Sequence, residues 1–338
     1  MTRARRELVH PDTTPYYHCI CRCVRRAFLC GHDAFSGKSY EHRKHWVLER
    51  LRALQSVYAV DICAYAVMSN HHHLVVRLDP ELARGWSDEE VMARWNRLFS
   101  PPVLVTRYRA DETGTAAERA QAGAMIAEWR ERLADLSWFM RSLNEYLARR
   151  ANEEDGCKGR FWEGRFKSQA LLDEAAVLTC MSYVDLNPVR ARLADTPKES
   201  DFTSIQQRIV EYSGASKHQP EIDPEPERLR LMALANPAQG GHPNRLTFTT
   251  EDYLELVDWA GRAIRADKRG AIPGHLPPIL ARLGLNPEQY LRLVRRGGRS
   301  HHVAALGHVE RLREAAARLG RRFLKGMRQS RRLYQVHG

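Results

Sequence analysis

The chain has 338 residues, 43% of them hydrophobic and 28% charged. This composition excludes global disorder and a fibrous repeat, and the length suits about two domains with real cores. The net charge of +12 is lopsided. Residues 291–338 carry 13 Lys and Arg against 2 Asp and Glu, and the preceding 290 residues carry 40 against 39. A basic end of this kind points to a polyanionic partner, usually nucleic acid, with a solvated helix face as the plainer alternative.

The longest uncharged apolar run, Ile62 to Met68, is far short of the ~20 residues that a membrane-spanning helix needs. The opening MTRARRELVHPDTTP has no apolar signal core. The expectation is a cytoplasmic protein with no membrane partner. The seven cysteines are an odd number without a signal segment, which argues against a disulfide framework. Cys19, Cys21 and Cys23 alternate with no CxxC pair, so they read as small buried strand residues, with metal binding the alternative.

In chain order, Tyr16–Val24 alternates and follows Pro15, which predicts a strand. Val47, Leu51, Leu54 and Tyr58 fall at helical spacing and predict a helix over 41–58. Ile62–Met68 and His72–Leu78 read as two strands joined by a tight turn at Ser69-Asn70. Residues 79–136 are polar and helix-prone, and they read as an insertion. An amphipathic helix follows over 137–152, marked by Trp138, Met140, Leu143 and Leu147. Next come a basic, aromatic segment (159–167), a strand ending near Leu172, and a helix capped by Asp173 that runs to about Leu186. Asn187-Pro188 ends that helix, because the residue before proline disfavours the helical region. The order β-α-β-β-α-β predicts an α+β domain of ferredoxin-like type, with an antiparallel sheet and helices on one of its faces. Pro220, Pro224, Pro226, Pro237 and Pro243 mark 213–245 as a linker. Beyond it lie a helix bearing Tyr253, Leu256, Val257, Ala260 and Ile264, short helices after Pro278 and Pro287, and a basic helix over about 307–333. The expected division is a catalytic domain over 1–212, the linker, and a basic helical C-terminal region over 246–338.

Three features carry chemistry. Asn70-His71-His72-His73-Leu74-Val75-Val76 opens the third strand. Strand side chains alternate, so His71 and His73 share one face and His72 takes the other. Two imidazoles on neighbouring same-face positions can share a divalent metal, and a polar hairpin corner is the alternative. In MSYVDLNPVR, Tyr183 and Asn187 lie one helical turn apart. A tyrosine needs a nearby cation or base to act as a nucleophile, and a core position is its plainer role. In GRFWEGRFK (159–167), Arg160, Arg165 and Lys167 interleave with Phe161, Trp162 and Phe166. Such a set can hold phosphates and stack on unpaired bases, or else form a turn with core aromatics.

Taken together, YYHCICRCVRRAFLCG, AVMSNHHHLVV, GRFWEGRFKS and YVDLNPVRA resemble the REP-associated tyrosine transposases, over about residues 13–210 with 79–136 as extra material. These belong to the wider IS200-like HUH single-tyrosine transposases (histidine, hydrophobic residue, histidine). The resemblance implies an enzyme that cleaves and rejoins single-stranded DNA near hairpins through a 5′-phosphotyrosine link. His71 and His73 would bind Mg²⁺ or Mn²⁺, Tyr183 would be the nucleophile, and Asn187 would sit where relatives place a polar third ligand. Arg160, Phe161, Trp162, Arg165 and Lys167 would contact DNA, and the basic tail around Arg321, Arg322 and Lys325 would grip a hairpin stem. Either a monomer or a homodimer is compatible. Tyr146 is the second candidate nucleophile. One position departs from the pattern: the middle residue is His72 rather than a hydrophobe, and if buried it needs a hydrogen-bond partner. The alternatives are an HUH replication initiator or relaxase, a catalytically silent nucleic-acid-binding regulator, and a zinc-stabilised structural protein.

Overall fold

The structure, a computed structural model, describes residues 9–24, 28–33, 37–215, 229–235, 246–264, 276–296 and 304–334. The prolines that mark the expected linker lie outside the described residues. The first elements are β1 (Tyr16–Arg22), α1 (Arg43–Gln55), β2 (Val60–Val67) and β3 (His71–Leu78). The insertion supplies α2 (Pro80–Arg84), α3 (Asp88–Asn96), α4 (Val103–Arg109) and α5 (Ala116–Arg132). Then come α6 (Leu136–Glu154), β4 (Lys167–Leu171), α7 (Glu174–Asp185), α8 (Asn187–Arg190) and α9 (Ser204–Ala215). The C-terminal region holds α10 (Thr250–Ile264), α11 (Pro278–Arg282), α12 (Pro287–Arg296), β5 (Ala305–Leu306), α13 (Val309–Arg318) and α14 (Met327–Leu333).

The five strands form one mixed sheet in the order β2-β3-β1-β4-β5. The first four pair antiparallel, and β5 runs parallel to β4. Period-two alternation sorts the strand residues onto two faces. Cys19, Cys21, Leu74 and Val76 point to the side of α1 and α6, where Val47, Leu51, Leu54, Phe139, Leu143 and Leu147 close a core. Val75, Leu171, Cys63 and Ala66 point the other way, into a second core built on α7, α10 and α12. A bulge between Ile62 and Ala64 shifts β2's alternation so that Ile62, Tyr65 and Val67 join the first core. Helices therefore cover both faces of the sheet, which corrects the expectation of one helical face. The sequence shows why: β1 and β3 carry apolar residues at odd and even positions alike, as a sheet buried on both sides requires.

The insertion packs through its aromatics. Trp95 and Trp129 lie parallel with centroids 4.9 Å apart, and both join the α1–α6 core. Arg43 is buried at the start of α1 and ties it to the end of α6 through Glu154 (2.6 Å) and Asp155. The C-terminal region is more than helices, since β5 extends the sheet. There Gly307 passes so close to β4 that a Cβ would lie 2.7 Å from that of Leu172. The basic helix expected over 307–333 is two helices, α13 and α14, separated by Gly320 and Gly326 at positive φ. Leu231 bridges Ile62 of β2, and Met232 donates its backbone N–H to the Ile62 carbonyl. Among the described residues no helix is long and apolar enough to cross a membrane.

Candidate metal and nucleophile site

β3 places the histidines as alternation demands. His71 pairs across β1 with Arg22, and His73 pairs with Ile20. The rings of His71 and His73 stand 4.8 Å apart. His71 Nδ1 bonds to Asn70 Oδ1 at 2.7 Å. An amide oxygen only accepts, so His71 carries its proton on Nδ1 and leaves Nε2 bare. Burial, followed by the charges of Arg22, His72 and Arg190, drives the His71 pKa down to about 3. The ring is therefore neutral at ordinary pH, the form that binds metals.

His72 points to the opposite face and is fully buried. It has the partner its burial requires: Nε2 meets Asn144 Oδ1 of α6 at 2.9 Å, and Trp162 packs edge-on at 5.5 Å. Burial lowers its pKa to about 4. It is a core histidine, set apart from the face that holds His71 and His73.

α7 brings the phenol to the pair. Asp173 caps the helix by accepting from Ala176 N at 2.8 Å. One face of α7 lies on the sheet and sets the Tyr183 ring 5.6 Å from His73 and 6.0 Å from His18. The chain does not simply stop at Asn187-Pro188; it turns into the short α8, which ends at Arg190. Arg190 donates to the Tyr183 hydroxyl (3.0 Å), to Asn187 Oδ1 (2.5 Å) and to the Val294 carbonyl of α12 (3.1 Å). Its guanidinium lies 4.2 Å from the centre of the Tyr183 ring. Burial raises the phenol's pKa, and Arg190 opposes that rise. Asn187 is buried and has its oxygen turned to Arg190. In this arrangement Arg190, rather than a metal position, holds the amide oxygen.

The structure thus brings together His71, His73, Tyr183 and Asn187. Among the described residues no three His, Cys, Asp or Glu side chains form a metal-holding group. Tyr146 is removed from contention: α6 lies across the sheet, and the Tyr146 hydroxyl accepts from Arg150 at 2.8 Å. Cys19, Cys21, Cys23 and Cys30 are buried free thiols in the α1–α6 core.

The DNA-contact expectations divide. Phe161 and Trp162 are corrected: both are buried in the α1–α6 core, and Trp162 donates to the Asn144 carbonyl at 2.8 Å, so neither face is open to a base. Arg160, Arg165 and Lys167 are exposed. Lys167 pairs with Ile20, which pairs with His73, so it stands on the histidine face two strands away, about 10 Å at ordinary strand spacing. Arg321 lines a cavity with Tyr17 and Ala170, on the other side of the sheet from the histidine pair. Arg322 and Lys325, in the same turn, are exposed.

Sequence reasoning missed four neighbours: His18, Gln169, Arg22 and the role of Arg190. His18 Nε2 meets His73 Nδ1 at 2.9 Å, and Gln169 pairs opposite His18 on β4. Alternation within β1 puts His18 and Arg22 on one face. Only the strand order reveals that this face is the one holding His73.

No protein-family model matches the sequence, and no curated protein matches it. Among solved structures, the chain is similar to a REP-associated tyrosine transposase bound to a REP hairpin. The identity is 13% and the TM-score 0.35, with 69% of this chain and 100% of that one covered. At that similarity the likeness fixes neither fold nor chemistry for this chain.

Proposed function

We propose that the protein is a metal-dependent HUH single-tyrosine endonuclease and transposase acting on single-stranded DNA near hairpins. The observation that carries this reading is the convergence of His71, His73 and Tyr183 on one face of the sheet, from one chain, with the phenol ring 5.6 Å from His73. The strand order β2-β3-β1-β4 is the one a ferredoxin-like sheet adopts, and it supports that finer reading of the fold.

The donor set fits a divalent ion. Both imidazoles have Nδ1 engaged by the protein, at Asn70 and at His18. Nitrogen ligands suit Mn²⁺ better than the oxygen-seeking Mg²⁺. Bound there, the ion would supply Lewis-acid polarisation of a scissile phosphate. Asn187 joins the ligands only if Arg190 releases its oxygen. The Tyr183 oxygen attacks phosphorus, the bond to O3′ breaks, and the phenolic proton is lost as O3′ leaves and is protonated. The products are a 5′-phosphotyrosine and a free 3′-hydroxyl, and a later 3′-hydroxyl reverses the step and joins strands. The bond energy is conserved in the covalent link, consistent with the absence of a GxxxxGK[ST] phosphate loop from the sequence. Arg22, Lys167 and Arg190 surround the pair with positive charge for the DNA backbone.

The test is incubation with labelled single-stranded hairpin DNA and Mn²⁺, followed by denaturing electrophoresis. The expected result is a shifted, protease-sensitive band that disappears in Tyr183→Phe while DNA affinity stays within about twofold, because one hydroxyl is removed and no charge. A covalent adduct in the Phe variant overturns the assignment of the nucleophile.

A further inference from the structure

We propose that α10, α11 and α12 form a helix-turn-helix module, and that α12 reads base pairs in the major groove of the hairpin stem through Glu288, Gln289 and Arg292. The stem as occupant rests on the proposed function above, while the module rests on its own geometry. α11 and α12 are joined by Leu283-Gly284-Leu285-Asn286, a turn of the length and composition that a helix-turn-helix uses. Gly284 takes φ 62°, where a residue without a Cβ redirects the chain without strain. Leu285 is fully buried and pins the turn, and Asn286 Oδ1 caps α12 by accepting from Gln289 N at 3.1 Å. α10 closes the unit: its Leu256 and Trp259 share one buried core with Ile279 of α11 and with Tyr290 and Val294 of α12.

α12 carries two stripes. Tyr290, Leu291 and Val294 are buried, whereas Glu288, Arg292 and Arg295 recur at i, i+4 and i+7 and are exposed, with Gln289 half-buried beside them. Arg295 is engaged by the Ala263 carbonyl of α10. Glu288, Gln289 and Arg292 remain, in the N-terminal part of the helix, where a recognition helix meets base edges. Arg292 donates to Gln289 Oε1 at 3.2 Å, so the two side chains project together. A guanidinium suits guanine, an amide suits adenine and a carboxylate suits cytosine. Two observations select the stem as occupant. Residues 291–338 carry 13 Lys and Arg against 2 Asp and Glu, complementary to a polyanion. The Val294 carbonyl accepts from Arg190, which also donates to the Tyr183 hydroxyl. Arg292 lies about 3 Å along the helix axis from that residue. A groove seated on α12 is therefore beside the strand offered to Tyr183, which is where the stem of a cleaved hairpin lies.

The experiment is binding selection by the full chain from a pool of hairpin DNAs with randomised stem pairs, at fixed salt, followed by affinity measurements on the selected stem. The wild type is expected to select particular base pairs. Arg292→Ala should lose the preference at one pair and Gln289→Ala at a neighbouring one. Each should weaken binding of the selected stem about tenfold, with affinity for the unselected pool held within about twofold, because phosphate contacts carry no sequence information. A stem preference unchanged in both variants, or a wild type that selects only unpaired nucleotides, overturns the reader. If the variants shift the stem preference but the wild type forms no covalent adduct on the selected hairpin, the endonuclease reading falls and the reader stands. An adduct with an unmoved preference gives the reverse.

Discussion

At the scale of single residues, Arg190 is the side chain on which the site depends most. One guanidinium serves the phenol, the Asn187 amide and a carbonyl of α12, a fan of acceptors that a lysine ammonium cannot span in the same way. A hydrogen bond to a charged donor is worth roughly 1.5–3 kcal/mol. Arg190→Ala should therefore slow single-turnover cleavage at saturating DNA by roughly 10–100-fold, with Arg190→Lys in between; an Ala variant as fast as the wild type would remove Arg190 from the reaction. The buried histidines make a second prediction. His18, His71 and His72 have pKa values lowered by burial to about 3, about 3 and about 4. The stability they contribute is complete above their unfolded value of about 6.5 and is lost as pH falls toward 4. Asp185 runs the other way, its carboxyl raised by burial to about 6, so it gains stability as pH falls through 6 towards its unfolded value. Three histidine protons outweigh one carboxyl proton, so the metal-free protein should lose on the order of 2 kcal/mol per pH unit near pH 5. Urea midpoints measured at pH 7, 6 and 5 check this, and a flat or rising series contradicts it.

Asp173 shows how an element can be read correctly and its neighbourhood missed. Its place before an apolar helical run predicts an N-cap, and it caps α7 by accepting from Ala176. The same carboxylate also accepts from His308 N at 2.6 Å and from the Tyr334 hydroxyl at 2.5 Å, which fastens the C-terminal region to the helix of Tyr183. Asp173→Ala should cost the cap's ~0.5–2 kcal/mol plus that of the C-terminal attachment, about 2–4 kcal/mol together. Asp173→Ser restores the cap alone, and a Ser variant with the wild-type denaturation midpoint would show that the attachment contributes nothing. Local signals of this kind made β1, β3, α6 and α7 legible to within a few residues, because alternation, helical spacing and caps act on neighbours in the chain. The His71–His73 pair was legible for the same reason. The packing of Trp162 on His72, the hydrogen-bond partner of His72 and the approach of His18 to His73 were not, since each is decided by which strand or helix arrives from more than 50 residues away. Helical spacing also could not tell a continuous basic helix over 307–333 from α13 and α14, whose break depends on two glycines at positive φ.

At the scale of the whole molecule, positive charge is divided between two places. Arg22, Lys167 and Arg190 ring the histidine pair, while Arg322 and Lys325 belong to the turn between α13 and α14, next to Arg321 on the far side of the sheet. The +12 net charge therefore does not act as one patch. On the proposed function, a single strand threaded to Tyr183 would meet the first set, and a duplex stem extending past the β4–β5 edge would meet the second. Each phosphate contact adds roughly 0.7 to the salt slope for a single strand and 0.9 for a duplex. Replacing Arg322 and Lys325 together by Gln should lower the slope of log affinity against log salt by about 2 for hairpin DNA. It should leave the slope for an unstructured strand unchanged, and the cleavage rate at saturation untouched. Replacing Lys167 by Gln should lower both slopes by about 1, because it stands in the row of His73, which the proposed function places along the path of either DNA. Equal losses on both DNAs for the C-terminal pair would place the stem elsewhere and make the basic end a general attractor of polyanions.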